Sequence, residues 1–256
     1  MWVSNGVYTS GMRLAGGQAT PNRLVVLSDI HIESVNGADV THIVGSMGTN
    51  AAFAGGIRCA YLADGMLADF TLTNGCAPIT TTEAEASGGG VYMVNGAISN
   101  CVVIGSRAIG AGGGARGGTL CNSRVEGNHA LMGGGADSSA LHNCLVVGNR
   151  AASRGGGASR ATLSGCTVVD NVSENEAGGI WALAAMNNSI LYYNIATNDY
   201  DNYDPVGDPG TVQHSCVTPD PGGVNVITSP PQFVNRGNGN YRLDVGSPCL
   251  DVGHNQ

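Results

Sequence analysis

The sequence contains no lysine; all 11 of its basic residues are arginine. That absence excludes a Walker-A phosphate loop and a lysine Schiff base, both of which need the amine. Positive charge is scarce overall. Nineteen acids against 11 arginines leave −8 with His neutral. Nucleic-acid binding needs the opposite balance, because cationic side chains must displace counterions from phosphate. Charged residues make up 12%, about half the usual share of a soluble domain. No run of 18 apolar residues occurs, so no membrane insertion is expected of this stretch. No Cys-x-x-Cys pair occurs and the six His are scattered, which excludes a zinc ribbon or finger. Eight Cys in 256 residues are too few for a disulfide-dense scaffold. Met1–Gly6 has neither the basic nor the apolar region of a signal peptide. The chain opens inside a strand-like segment followed by an Asn-Gly turn, as a truncation point would, so the missing leader carries no information on compartment.

What abounds is glycine, 41 residues of 256 against an ordinary share of ~7%. It does not recur every third residue, so the chain is not collagen. At 42% apolar a core can be buried, and disorder is not expected. The glycines are periodic. Triplets stand at 88–90, 112–114, 133–135 and 155–157, with a pair at 178–179. After each comes a motif whose best copy is Leu141-His142-Asn143-Cys144-Leu145-Val146-Val147-Gly148-Asn149. The copies align on the column Phe70, Cys101, Ser123, Cys144, Cys166, Ser189. From Cys101 onward its members lie 22, 21, 22 and 23 residues apart; from Phe70 to Cys101 the gap is 31, which predicts an inserted loop near 77–87.

Three residues before the column sit Leu67, Ile98, Leu120, Leu141, Leu163 and Met186. Two after it sit Leu72, Val103, Val125, Val146, Val168 and Leu191. Both positions are uniformly apolar, while the position between column and valine is mixed. This period of two with one constant face predicts short half-buried strands. A unit of about 22 residues with two or three such strands cannot bury its apolar face alone, whereas stacked units share one core. The expected fold is all-β, a parallel β-helix (solenoid) with coils of about 22 residues and an irregular C-terminal capping segment. About eleven coils at about 4.8 Å each would make a rod of about 50 Å. Residues 1–200 are expected to form the coils, and 201–256 the last coils and cap of the same domain.

Asn128, Asn149, Asn171 and Asn194 share a column with Ser106, and Asn100, Asn122, Asn143 and Asn188 form a second. In parallel register their amides are expected to bond along each column, and Asn tolerates left-handed corners. The Gly triplets fit a corner where side chains collide or φ is positive.

These residues resemble the right-handed parallel β-helix proteins of the pectate-lyase-like superfamily. The Gly-Gly-Gly-Ala and Val-x-Gly-Asn copies are similar, more narrowly, to repeats of the polymorphic outer membrane protein type of bacteria. So are Trp2–Tyr8, Ile32–Gly37 and the closing stretch from Pro231 through Gly239–Leu243 to Gly246–Gly253. The resemblance implies a secreted or cell-surface location. It implies no single activity, since members range from polysaccharide enzymes to adhesins.

Cys101, Cys144 and Cys166 read as buried small residues, because Ser shares their column. Disulfides Cys144–Cys166 and Cys216–Cys249 remain open alternatives, and Cys121, off the column, reads as a free thiol. Arg107, His129 and Arg150 share a column after the Asn corner. Guanidinium groups about 4.8 Å apart repel by about 0.9 kcal/mol in water and by more in a dry interior, so this column is expected to face solvent. Arg154, Arg160 and Arg116 lie around the neighbouring Gly corners. They read either as a solvated edge, with Arg116 paired to Asp137, or as a strip gripping acidic glycan groups, because guanidinium forks match carboxylate and sulfate. Ligand binding is therefore expected, if anywhere, at Arg107, His129, Arg150 and Arg154. Asp199, Asp201, Asp204 and Asp208 form either a polar loop or a calcium site; no other metal and no cofactor is expected. Glu126 stands alone on a strand face and Asp170 alone at a corner, and no carboxylate pair recurs in adjacent coils as a glycosidase would need. The expected function is a non-catalytic stalk, adhesin or glycan-contact module. Its partner would be an acidic polysaccharide or another surface protein. The alternatives are a polysaccharide lyase or hydrolase, or a self-associating structural protein; the chain itself is expected to be a monomer or to stack end to end.

Overall fold

The computed structural model describes residues 1–50, 52–79, 82–83, 85–204 and 210–253. Thr80, Thr81 and Ala84 of the expected inserted loop lie outside these. The chain winds as a parallel β-helix. Strands of successive coils pair in parallel into sheets that run the length of the rod.

Each regular coil contributes four short strands, one more than the upper expectation. The coil that holds Cys144 contributes Ala136–Asp137, Ala140–His142, Leu145–Val147 and Arg150–Arg154. The two strands next to the Gly triplets have small inward residues such as Ala108, Ala130 and Ala136. In the central coils, from Arg107 to Ser159, they bury no large apolar residue, unlike Val91 and Ile180 at either end, so their alternation is invisible to a hydrophobicity pattern there.

The second and third strands of each coil build the core. In one nine-stranded sheet Ile32, Leu67, Ile98, Leu120, Leu141, Leu163, Met186 and Val212 pair rung by rung. In the other, Ile43, Leu72, Val103, Val125, Val146, Val168, Leu191 and Val217 do the same. All are buried, and each such side chain contributes roughly 1.5–3 kcal/mol relative to exposure. The longest sheets have nine strands, fewer than the expected eleven coils. Residues 45–50, 52–57 and 197–204 and the closing segment are spent mainly on loops and a hairpin rather than on regular rungs.

Between these two sheets runs the corner column of Phe70, Cys101, Ser123, Cys144, Cys166 and Ser189, buried throughout and continued by Ser215. It also serves the backbone. Cys101 N–H donates to Ser123 Oγ at 3.1 Å, Cys166 N–H to Ser189 Oγ at 2.9 Å and Ser189 N–H to Ser215 Oγ at 3.1 Å. Cys144 N–H is directed at Cys166 Sγ at 3.4 Å.

The next corner holds the asparagine ladder. Asn149 Oδ1 accepts from both Asn128 N–H (2.9 Å) and Asn128 Nδ2 (3.0 Å), and Asn171 Oδ1 accepts in the same way from Asn149. Each Nδ2 also reaches a carbonyl of the preceding coil, as Asn149 does to Val125. The second Asn column behaves differently from expectation. Asn100, Asn122 and Asn143 are exposed and take φ of 51°, 48° and 53°. They are left-handed corner residues, and the buried ladder is confined to the first column. At the Gly corner, Gly112 has φ +67°, and a Cβ on Gly113 would run into the carbonyl oxygens of Gly134 and His129, so the triplets answer to both conformation and close approach.

The closing segment is irregular, as expected, but not shapeless. Phe233–Asn235 and Asn240–Leu243 form an antiparallel hairpin. It is tied to the rod by Arg236 Nε to Asp170 Oδ1 (2.8 Å) and Tyr241 OH to Asp170 Oδ2 (3.1 Å), with the Arg236 guanidinium 4.0 Å above the Tyr193 ring.

Candidate ligand-binding surface

In three successive coils the fourth strand presents a basic residue, where Cys76, Val172 and Ile195 stand in the coils on either side. Its inward positions are Ala or Ser, so the strand sits close to the rod and its outward side chains stand clear. Arg107, His129 and Arg150 pair directly, rung over rung. Arg107 and Arg150 are exposed and His129 is half-buried, as the repulsion argument requires.

The structure divides the expected strip. Arg150 Nη2 pairs with Glu174 at 2.8 Å, and Arg154 Nε with Glu176 at 2.9 Å. Arg154 also lies 5.2 Å over the Trp181 ring. Both guanidinium groups are thus engaged by acids one coil further on. Arg107 forms no ion pair among the described residues. Burial, Arg107 and Arg150 together push the His129 imidazole below its usual 6.5, partly opposed by Glu174.

Arg107 borders a shallow open groove of about 540 Å³. Gly105 and Gly127 form its floor, where the left-handed backbone carries no side chain. Thr49, Asn50 and Phe53 form the opposite wall. That wall is pinned in place, because Ser46 and Ile57 exchange backbone bonds of 3.0 and 2.9 Å, and Asn50 Oδ1 accepts from Ala52 N–H at 3.0 Å and Ala54 N–H at 3.1 Å. A guanidinium, an aromatic ring and hydroxyl and amide groups around a bare floor suit a polar, ring-shaped ligand with a negative charge.

The carboxylates from Glu126 to Glu176 all serve arginines. Glu126 pairs with Arg124 at 2.6 Å. Asp137 is fully buried and receives Arg116 at 3.0 Å and Arg160 at 2.8 Å, so the expected Arg116–Asp137 pair is present. Asp170 is held by the closing hairpin.

Among the described residues, Asp199, Asp201 and Asp204 do not come together as a cluster able to hold a metal ion; Asp208 lies outside them. This loop instead plugs the rod. Asn202 continues the asparagine ladder, accepting from Asn194 Nδ2 at 3.1 Å, and Tyr203 is buried beside Ile180. The sequence hides this role because Asn202 follows Asn194 by eight residues, far off the repeat.

The eight cysteines are free thiols, so neither of the two disulfide alternatives is formed. Cys216 and Cys249 nonetheless line one small cavity together. Arg58 was not singled out by pattern. It is fully buried, donates to Ser87 O at 3.0 Å and lies 5.2 Å over Tyr92. Burial pulls its pKa down to about 10.

Compared with known proteins, the chain matches no protein-family model, no curated protein and no solved structure. Its class, a parallel β-helix solenoid, rests on its own geometry.

Proposed function

We propose that this β-helix is a non-catalytic contact module for acidic glycans, serving as a stalk or adhesin outside the cell or on a bacterial surface. The resemblance of its repeats to the polymorphic outer membrane protein type within the pectate-lyase-like superfamily supports that location. One observation carries the reading: Arg107 stands exposed at a groove with no carboxylate partner among the described residues, while Arg150 and Arg154 are already paired. A uronate or sulfate group supplies the missing charge in a geometry that suits the guanidinium fork. The commitment of the coil acids to arginines also supports a binding rather than a hydrolytic role.

Calorimetric titration with alginate oligosaccharides tests it. Arg107→Ala is expected to weaken binding about tenfold, the loss of one charge-assisted contact. Arg150→Ala should change it by less than about twofold, because that side chain is spent on Glu174. An unchanged affinity in Arg107→Ala overturns the assignment, and release of unsaturated uronates on incubation overturns the non-catalytic part.

A further inference from the structure

A second pair of guanidinium groups stands on a different face, that of the two-residue strands following the Gly triplets. Along the outer side of this sheet Tyr92, Arg116, Asp137, Ser159 and Trp181 pair in one straight column. Arg160, one residue after Ser159, joins it from the side. The Asp137 carboxylate is fully buried and saturated. Oδ1 receives Arg160 Nη2 at 2.8 Å and the Ser159 hydroxyl, and Oδ2 receives Arg116 Nη1 at 3.0 Å and Ser138 Oγ at 3.0 Å.

Two cations share this one buried anion, which leaves one positive charge to be met from outside. Glu83, on the inserted loop, meets it. Its Oε1 lies 3.1 Å from Arg116 Nη1 and 3.8 Å from Arg160 Nη2. The three groups differ sharply in how firmly they are held. Asp137 is 0% exposed, Arg116 19% and Arg160 37%, while Glu83 is 60% exposed. Exposed ion pairs contribute little, so Glu83 is the replaceable member of the set.

We infer that Arg116 and Arg160 form an oxyanion site for a carboxylate or sulfate group of an acidic polysaccharide, and that the Glu83 carboxylate occupies this site in the free protein. Asp137 holds both guanidiniums in place, so an incoming anion finds them already oriented. Trp181, half-buried three rungs beyond Arg116, lies about 14 Å along the same column. One face of its indole carries Arg154, and the other is the kind of flat surface on which the apolar face of a sugar ring stacks, which favours a chain of sugars over a small ion. The inference shares its ligand class with the proposed function but none of its residues.

The test is titration of the whole chain with alginate oligosaccharides and, as the sulfate arm, with dextran sulfate; uncharged dextran is the control. Glu83→Gln should tighten binding about threefold to fivefold, the scale of one exposed ion pair released. Asp251→Asn, which removes an exposed negative charge elsewhere, should not. Arg160→Ala added to Glu83→Gln should abolish the gain. A gain in either arm supports the site and tells uronate from sulfate. No gain from Glu83→Gln in either arm, an equal gain from Asp251→Asn, or a gain that survives Arg160→Ala overturns it. Arg107→Ala keeps the two sites apart. If Arg107→Ala leaves affinity intact while Glu83→Gln raises it, the groove fails and the Arg116–Arg160 site stands; the converse result removes this site alone.

Discussion

The Asn149 side-chain amide donates to Asn171 Oδ1 at 2.9 Å, one coil further along the rod, and Asn149 Oδ1 closes two bonds from Asn128 on the other side. Each asparagine is therefore both cap and rung in a column sealed from water. Replacing Asn149 with Leu strands the Asn128 amides and the carbonyl of Val125. With about 1–3 kcal/mol lost per unsatisfied buried group, the variant should lose at least about 3 kcal/mol in a denaturant titration. Asn143→Gly, in the exposed column with φ +53°, should be within about 0.5 kcal/mol of the parent. Equal losses would show that the two columns play the same part.

The phasing of the strands is open to a paired test. Val146 is fully buried and Thr167, beside Leu145 on the next coil, points outward. Val146→Asp buries a carboxylate with no partner and should cost several kcal/mol or prevent folding. Thr167→Asp should stay within about 1 kcal/mol. Thermal melts of the two variants side by side decide the matter.

The core was legible in the sequence because its two apolar columns repeat at an almost constant interval. Leu120, Leu141 and Leu163 stack where the spacing puts them. What escaped were contacts made off the repeat. Asn202 tops the asparagine ladder from a loop, and Arg58 is buried by a segment 27 to 29 residues away through Glu85 O and Ser87 O. The basic column was legible as a column. Its division into Arg107, without an ion pair among the described residues, and Arg150 and Arg154, paired, was only half legible: Glu176 stands 22 residues after Arg154, in register with it across a parallel bridge, whereas Glu174 sits in a bend whose side-chain direction no periodicity specifies. Arg116 with Asp137 was legible, since both fall on one register.

The closing hairpin depends on one carboxylate. Asp170 adopts φ +57°, which Asn tolerates, so Asp170→Asn removes the charge while sparing the corner. Asn keeps only one acceptor oxygen, so the Arg236 ion pair is lost and Arg236 and Tyr241 cannot both keep an acceptor there. Limited proteolysis should then cleave between 230 and 245 faster than in the parent, while the coils remain intact. Burial and the bond to Asp170 also raise the Tyr241 phenol above its usual value. Its contribution is thus full below about pH 10 and lost as pH rises through the folded value, so the hairpin should loosen at strongly alkaline pH.

Thiol labelling reports on the corner column. Burial pushes the Cys59 and Cys101 thiols up to about 12, and the thiolate is the reactive form. Cys121 lies off the column and is half-exposed. Maleimide at neutral pH should therefore modify Cys121 well before Cys59 or Cys101, which should react only on unfolding. Mass spectrometry of timed aliquots reads the order, and early labelling of Cys101 would contradict its place in the corner.

His129 gives the Arg107 groove, proposed above as a glycan site, a pH dependence whose sign is fixed. Burial and the flanking Arg107 and Arg150 depress its pKa, with Glu174 opposing them. The neutral ring is thus favoured in the fold. The stability it contributes is present above about 6.5 and is lost as pH falls through the depressed value. Removing Arg107 removes one of the charges responsible, so Arg107→Ala should raise the His129 pKa toward its ordinary value, as followed by the imidazole proton shifts in NMR. An anion bound beside Arg107 acts in the same direction by offsetting the guanidinium charge. Linkage then requires the bound anion and the ring proton to favour each other. Affinity for alginate oligosaccharides should accordingly rise as pH is lowered below about 6.5 while uronates stay ionised, and His129→Asn should flatten that rise. A pH profile identical in the two proteins would place the bound anion away from His129, and with it away from the Arg107 groove.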